Sequence, residues 1–292
     1  MTLGDLVDLQ ADRLTEAGVA FGHGTTNAHD EAAWLVQWAL DLPLDALHDE
    51  AGRPVSASER LVVDALIERR IRTRLPAAYL TQQAWLQGVA FYVDERVIVP
   101  RSFIAELIAD ASIDRWIAPT ARRMLDLCTG NGSLAILAAM AWPDLRIDAS
   151  DLSEDALAVA RINVDAHQLG SRISLLRSDG LQRLEGPYDL ILCNPPYVNA
   201  ASMAALPPEY RAEPALALDG NADGGEDGMD FVRALLREAP RHMTEDAVLV
   251  LEIGNEREHF ERAFPRLPAL WLETSAGPDQ VLLLTREALG RD

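Results

Sequence analysis

Tyr188-Asp189-Leu190-Ile191-Leu192-Cys193-Asn194-Pro195-Pro196-Tyr197 is an apolar strand that runs straight into a proline-locked polar turn. Leu190 to Cys193 are apolar without a break, and only Asp189 separates them from Tyr188. Such a run predicts a strand buried on both faces, as in a parallel sheet covered by helices. Each proline lacks an N–H and holds φ near about −65°. Asn194 precedes a proline and is pushed out of the helical region. The turn is therefore stiff, barred from helix, and free to present its carbonyls to a ligand.

A carboxamide beside a free carbonyl suits a planar NH2 group. The side-chain oxygen of Asn194 can accept one N–H and the carbonyl of Pro195 the other. Tyr197 offers a ring to lie against the same plane. An amide or aryl amine is a poor nucleophile because its lone pair is delocalised. Holding both N–H groups in acceptors orients it, favours positive charge on nitrogen and aims it at an electrophile. Asn-Pro is also a common strand-ending turn, so the other strand ends decide between the two readings.

From Arg123 onward, strands and helices alternate. Met124–Cys128, Leu145–Asp151, Ile173–Leu176, Leu190–Cys193, Ala247–Ile253, Leu270–Glu273 and Gln280–Leu284 read as strands. Helices are expected from Ser133 to Ala141, after the cap residue Ser153, from Asp227 to Ala239 and from Glu256 to Phe264. This alternation predicts an α/β fold with a doubly wound, mainly parallel sheet. Only Thr274–Asp279 separates the last two strands, too short for a helical crossover, so the final strand is expected to be antiparallel.

The strand tips carry the remaining candidates. Gly130-Asn131-Gly132 follows the first of these strands and lets backbone approach a ligand closely, although it lacks the full glycine pattern of dinucleotide binders. Asp151 ends the next strand, 19 residues after Gly132, where a carboxylate can hold ribose hydroxyls. Asp179 at the third tip can accept from an adenine amino group. Asp126 is expected beneath the glycine turn, at the amino end of a cofactor. These acids and Asn194 fall on one edge of one sheet, where open α/β folds bind ligands, and that agreement favours a site over a set of solvated strand ends.

The first 75 residues read as a small helical domain. Leu3, Leu6, Val7, Leu9 and Leu14 mark one amphipathic helix, and Trp34, Leu35, Trp38 and Leu42 a second, preceded by Asp30 and ended by Pro43. Ser56 and Glu59 stand at capping-box spacing before a third, whose basic end, Arg69, Arg70, Arg72 and Arg74, suits the helix dipole. His23, His29 and His48 read as structural or exposed. Residues 76–102 form a connector: a hairpin through Ala84-Trp85-Leu86 and Val89–Val93, then a short strand Val97-Ile98-Val99. A helix is expected from Phe103 to Ile113, opening the strand–helix part, 103–292.

The chain has 292 residues, of which 49% are apolar, so it is long and apolar enough for a sizeable core. No apolar run approaches the ~18–20 residues of a membrane span, and Met1–Asp5 lacks the features of a signal peptide. Cys128 and Cys193 read as core thiols of a reduced, cytoplasmic protein, with no metal site. A net charge of −20 opposes binding to bare nucleic acid and is compatible with a basic protein partner.

Asp126-Leu127-Cys128-Thr129-Gly130-Asn131-Gly132, Asp151, Ser178-Asp179 and Asn194-Pro195-Pro196-Tyr197, in this order, resemble the class I S-adenosylmethionine-dependent methyltransferases. More narrowly, the chain is similar to the protein N5-glutamine methyltransferases of the HemK/PrmC and PrmB group. Segments outside the catalytic motifs carry that narrower likeness: Phe21-Gly22-His23-Gly24-Thr25, Pro76–Thr81, Phe91–Arg96, Val99-Pro100-Arg101-Ser102, Pro208–Arg211 with Glu213-Pro214, and Glu226–Asp230. The tetrapeptide alone is shared with enzymes that methylate amino groups of nucleic acids.

The resemblance implies a seven-stranded Rossmann-like sheet, S-adenosyl-L-methionine as cofactor and S-adenosyl-L-homocysteine as product. It implies a protein glutamine as acceptor, on the basic large-subunit (50S) ribosomal protein L-three. Asp126, Cys128, Thr129, Gly130, Asn131, Gly132, Asp151, Asp179, Gly180 and Asn194 are the expected cofactor contacts. Asn194, Pro195, Pro196 and Tyr197 are the expected substrate contacts. Asn131 stands where the family often has Ser or Thr, and Gly180 where release-factor enzymes carry an aromatic against adenine. The alternatives are an amino methyltransferase acting on nucleic acid and a cofactor-binding assembly factor without catalysis. The helices of residues 1–75, which hold no cofactor motif, are expected to read the substrate.

Overall fold

Two strands, Gln83–Leu86 (β1) and Val89–Tyr92 (β2), form an antiparallel hairpin apart from the main sheet. The main sheet contains Arg123–Leu127 (β3), Arg146–Asp151 (β4), Ile173–Arg177 (β5), Tyr188–Cys193 (β6), Met243–Glu252 (β7), Leu270–Thr274 (β8) and Gly277–Thr285 (β9). These come from a computed structural model that describes residues 1–290 of the chain. Their spatial order is β5-β4-β3-β6-β7-β9-β8. The pairs from β5 through to β7 are parallel, whereas β9 is antiparallel to both β7 and β8. The short turn between β8 and β9 forces that reversal, as its length predicts.

β6 is covered on both faces, as its composition requires. Leu190 and Leu192 pack with Met124, Ile147 and Val250 under the helix Ser133–Ala141. Ile191 and Cys193, on the opposite face, pack with Leu125, Leu249 and Leu251 under the helix Asp230–Glu238. Asp189, the one break in the run, sits at the strand's entry. Its carboxylate accepts the N–H groups of Arg122 and Arg123 at 2.8 and 3.0 Å.

The helices Leu3–Glu16, Ala28–Ala39 and Ala57–Thr73 form the expected N-terminal layer. Ser56 and Glu59 close the capping box that their spacing predicts. The second helix starts earlier than expected: Asn27 is its cap, and Asp30 lies inside the first turn. The core of this layer is not closed on itself. Leu3, Leu6, Leu35 and Ile67 share one apolar cluster with Tyr79, Val93 and Val97 of the connector and Ala156 and Val159 of the helix Glu154–Ala166.

The structure corrects two expectations, one in the connector and one just after it. Val97-Ile98-Val99 is not a strand: Val97 and Val99 are buried, but the Val99 N–H donates to the Glu213 carboxylate at 2.9 Å, not to a ladder. The helix expected over 103–113 spans only Ile104–Ala109, because the chain reaches a left-handed φ of +59° at Ala111. Among the described residues no helix is long and apolar enough to cross a membrane.

Candidate active site

The chain runs from β3 outward through β4 and β5, then returns to β6 on the other side of β3. That reversal is the switch point of a doubly wound sheet, where strand tips diverge and leave a crevice. Leu127 of β3 stands opposite Cys193 of β6. The glycine turn and the Asn194–Tyr197 turn, distant in sequence, therefore leave the sheet side by side.

The glycine turn is held open by its own hydrogen bonds. Gly130 and Gly132 have φ of +55° and +83°, and Cys128, at the turn's start and not within the strand as expected, has +62°. Side chains rarely take this region. A Cβ on Gly132 would lie 3.3 Å from Ala160 Cβ, so the glycine also lets the helix Glu154–Ala166 approach. The Thr129 N–H donates to the Ser150 carbonyl and the Gly130 N–H to Asp151 Oδ2, both at 2.9 Å. Asp151 Oδ1 takes the Ser153 N–H, so this carboxylate ties the turn to the tip of β4.

Asp126 lies beneath the turn and is almost wholly buried. Its Oδ2 accepts from Thr129 Oγ1 at 2.5 Å and from the Ala135 N–H at 3.0 Å, while among the described residues no hydrogen bond engages Oδ1. Burial pushes this carboxyl up to about 7, against the pull of those two donors. Burial raises Asp151 as well, against the Ser153 and Gly130 N–H groups. The Cys128 thiol is raised by its contact with Cys193 and then by burial; both cysteines are free.

Two polar atoms here are buried and unpartnered, Asn131 Nδ2 and Ser150 Oγ. A buried donor without a partner costs about 1–3 kcal/mol, so both fit a site completed by a polar ligand. Asp179 lies exposed beyond the tip of β5, followed by Gly180 at φ +51°. They line a groove of about 440 Å³ with Leu181, Gln182 and Phe231. A Cβ on Gly180 would meet the Phe231 ring at 3.9 Å, so an aromatic does stand near this position, brought by another element.

At the tip of β6, Asn194 is half-buried and Pro195 buried. Among the described residues, no hydrogen bond engages the Asn194 carboxamide or the Pro195 carbonyl. Tyr197 is hemmed in by glycines. A Cβ on Gly254 would stand 2.6 Å from its ring, and one on Gly228 2.1 Å from its carbonyl oxygen. Burial, then the nearby Glu252 carboxylate, drive the Tyr197 hydroxyl far above its usual range, so the ring stays neutral. Glu252 itself is pushed up to about 7 by burial, although Ser102 Oγ donates to it at 2.5 Å.

The acidic, glycine-rich stretch 219–230, whose glycines suggest a mobile loop, lies against this turn and is braced. The Val198 N–H donates to the Leu218 carbonyl at 2.8 Å, the Gly220 N–H to Val198, and the Ala200 N–H to Glu226. Asp230 takes the N–H groups of Asp223 and Gly225, both at 2.9 Å. Among the described residues, no three His, Cys, Asp or Glu side chains are grouped to hold a metal.

Several residues around the site were not singled out from the sequence. Asn163 is buried on the helix Glu154–Ala166 and bonds both Tyr92 backbone groups and the Asn131 carbonyl, joining the hairpin to the glycine turn. Its signal was a polar residue on an apolar helix face. His23, read as structural or exposed, is buried, which fits the structural reading. Arg70, assigned to the helix dipole, is fully buried and pairs with Glu31 at 2.8 Å.

The Methyltransferase small domain family matches residues 109–206. Among solved structures, the hMettl16 catalytic domain in complex with MAT2A 3'UTR hairpin 6 superposes with a TM-score of 0.51, covering 78% of this chain and 81% of that one. At 14% identity this likeness shows a shared methyltransferase fold and nothing finer. Sequence relatives are far nearer. A ribosomal protein uL3 glutamine methyltransferase of Bordetella pertussis is 54% identical over 99% of this chain and 96% of its own length. Those of Burkholderia pseudomallei and Neisseria gonorrhoeae are 51% and 50% identical, over 97% and 99% of this chain and 94% and 95% of their own lengths. The chain belongs to the family of ribosomal protein uL3 glutamine methyltransferases.

Proposed function

We propose that this protein transfers a methyl group from S-adenosyl-L-methionine to the side-chain amide nitrogen (N5) of a glutamine in ribosomal protein uL3. The observation that carries the proposal is the pair of unengaged acceptors at the tip of β6, the Asn194 side-chain oxygen and the Pro195 carbonyl. They stand beside the glycine turn at the switch point. The cofactor supplies an electrophilic methyl carbon on a sulfonium, and S-adenosyl-L-homocysteine is left. Asp126, Thr129, Gly130, Asn131, Gly132 and Asp151 would hold it, with Cys128 and Asn194 at its amino-acid side and Asp179 and Gly180 at its adenine.

Asn194 and Pro195 each accept one amide N–H of the substrate, and Tyr197 packs on the amide plane. With both N–H groups held, the nitrogen lone pair faces the crevice, and positive charge forming on nitrogen meets two oriented acceptors. As the N–C bond forms, the sulfonium's S–C bond breaks, and the nitrogen becomes acidic enough to lose its extra proton to solvent.

The turn sees only a carboxamide, which every glutamine carries, so selectivity arises elsewhere. In this reading, residues 1–75 and the hairpin form one wall of the substrate groove. Asp5, Asp8, Asp12 and Glu16 form an exposed acidic stripe along the first helix, complementary to a basic ribosomal protein. The reaction belongs to the cytoplasm, where ribosomes are built.

The test is labelled-methyl transfer to purified uL3, with the modified residue located by mass spectrometry. Asn194→Ala should lower kcat by ~10²-fold or more. Near-normal turnover would remove Asn194 from the mechanism. Transfer to naked RNA or DNA and none to uL3 would point to a nucleic-acid enzyme, and cofactor binding without turnover to an assembly factor.

A further inference from the structure

Among the described residues, Asn163 alone hydrogen-bonds to both the glycine turn and the hairpin. It is 1% exposed. Its Oδ1 accepts the Tyr92 N–H at 2.7 Å, and its Nδ2 donates to the Tyr92 carbonyl at 3.0 Å and to the Asn131 carbonyl at 2.8 Å. Both amide N–H groups are thus in use, and the reversed carboxamide would set its oxygen against two carbonyls. The position is specific to asparagine: aspartate lacks the donors, and glutamine is one methylene longer.

The turn needs such an anchor. Asn131 stands between two left-handed glycines, the residues that lose most freedom on being ordered. Bonds from the Thr129 and Gly130 N–H groups fix the start of the turn. The Asn131 carbonyl sets the plane of the peptide that leads into Gly132, and Asn163 holds that carbonyl. Ala160, three residues earlier on the same helix face, lies under Gly132. On the other side, Tyr92 ends β2 opposite Gln83. Asn163 meets its N–H and its carbonyl together, as a neighbouring strand would. The hairpin has a second tie to this helix, His167 Nε2 at 2.9 Å from the Ala90 carbonyl, and that tie does not reach the turn.

We propose that Asn163 is a positioning residue for the cofactor: it sets the Asn131 carbonyl, and so the shape of the glycine turn, and it carries the ordering of that turn into the hairpin. The inference rests on the reading of Gly130–Gly132 as part of the S-adenosyl-L-methionine cradle. Asn163 acts through Asn131 and Tyr92, not on the reacting atoms. A ligand that orders the turn therefore tightens the hairpin, and loosening the hairpin bond at Asn163 weakens the ligand, since coupling of this kind is reciprocal.

The test uses the full-length protein, with Kd for S-adenosyl-L-homocysteine from calorimetry, kcat and KM for S-adenosyl-L-methionine, and hydrogen exchange at the hairpin amides. In the wild type, bound S-adenosyl-L-homocysteine should slow exchange at the Tyr92 amide about fivefold or more. Unchanged exchange there with the ligand bound overturns the proposal without any variant. Asn163→Leu, close in size but without polar side-chain atoms, should raise that Kd and the cofactor KM about tenfold, keep kcat at saturating cofactor within about threefold, and abolish the protection of the hairpin. A merely structural residue behaves otherwise: its loss lowers the active fraction, and so kcat, and leaves Kd of the folded remainder unchanged. That result refutes the proposal. Should Asn163→Leu not fold, Asn163→Asp, which keeps the shape and the acceptor for Tyr92 but not the two donors, must still weaken S-adenosyl-L-homocysteine; unchanged Kd refutes it too. His167→Phe is the control, since it drops the bond to Ala90 and keeps a ring beside Phe91. Its Kd should stay within about twofold of wild type, and a loss equal to that of Asn163→Leu would assign the effect to any loosening of the hairpin and overturn the proposal. No binding by the wild type would sink the cofactor reading itself, whereas normal binding by Asn163→Leu sinks only this inference.

Discussion

Replacing Gly254 by alanine tests the placement of Tyr197 with one methyl group. Gly254 follows β7 at φ +53°, and the added Cβ would stand 2.6, 2.9 and 3.0 Å from Cε2, Cζ and Oη of the Tyr197 ring. Carbon atoms in contact sit about 3.5–4.0 Å apart, so the ring must retreat by about 1 Å. A left-handed alanine costs about 1–2 kcal/mol, which lowers the melting temperature of a chain this size by a few degrees. Activity should suffer more. A misplacement of about 1 Å in a positioned group costs on the order of 10²-fold, or about 2.7 kcal/mol of barrier. The glycine turn and Asp151 lie on other strands, so Kd for S-adenosyl-L-homocysteine should hold. The assay is initial-rate methyl transfer to uL3 at saturating cofactor, with binding followed by calorimetry. If the variant loses stability as expected but keeps kcat within about threefold, the ring's position does not matter and the reasoning is wrong.

Two further outcomes follow from charge. Asp126 and Glu252 are raised by burial to about 7 in the folded protein, so the native state binds more protons than the unfolded chain between about pH 4 and pH 7. Their contribution to stability is therefore full below about pH 4 and lost as pH rises through about 7, with a slope of up to about 1.4 kcal/mol per pH unit for each. Asp126→Asn should flatten the decline of unfolding free energy across that window, and an unchanged slope in denaturant titrations would refute the assignment. Neutralising the first-helix stripe with Asp8→Asn, Asp12→Asn and Glu16→Gln should lower kcat/KM on intact uL3 several-fold and weaken its salt dependence. Transfer to a short glutamine peptide should stay the same, and equal loss on both substrates would count against a substrate-reading role for this layer.

Much of this protein is legible without coordinates because the signals are local. The run Leu190–Cys193 requires cover on both faces, and two prolines forbid helix just beyond it. Ser56 and Glu59 announce a helix start at their own spacing, and the short stretch after Thr274 leaves no room for a crossover. Each follows from a backbone rule or a period that spans a few residues. The helix expected beyond Ala109 failed because the left-handed residue that stops it is an alanine, which carries no breaker signal.

Tertiary structure alone decided which distant groups meet. Register sets Leu127 beside Cys193 and so brings the glycine turn to the Asn194 turn. The segment expected as the connector's short strand gives its Val99 N–H to the buried Glu213 carboxylate, which lies 114 positions away in sequence. Arg101 and Glu213 lie 112 positions apart, and Glu209 returns to Ala20 across 189. A lone arginine, glutamate or histidine has no period, and in sequence it looks like a solvated surface residue. Its partner is chosen by where the chain comes back in space, and burial then makes that partner obligatory, since a charge removed from water must be met by another.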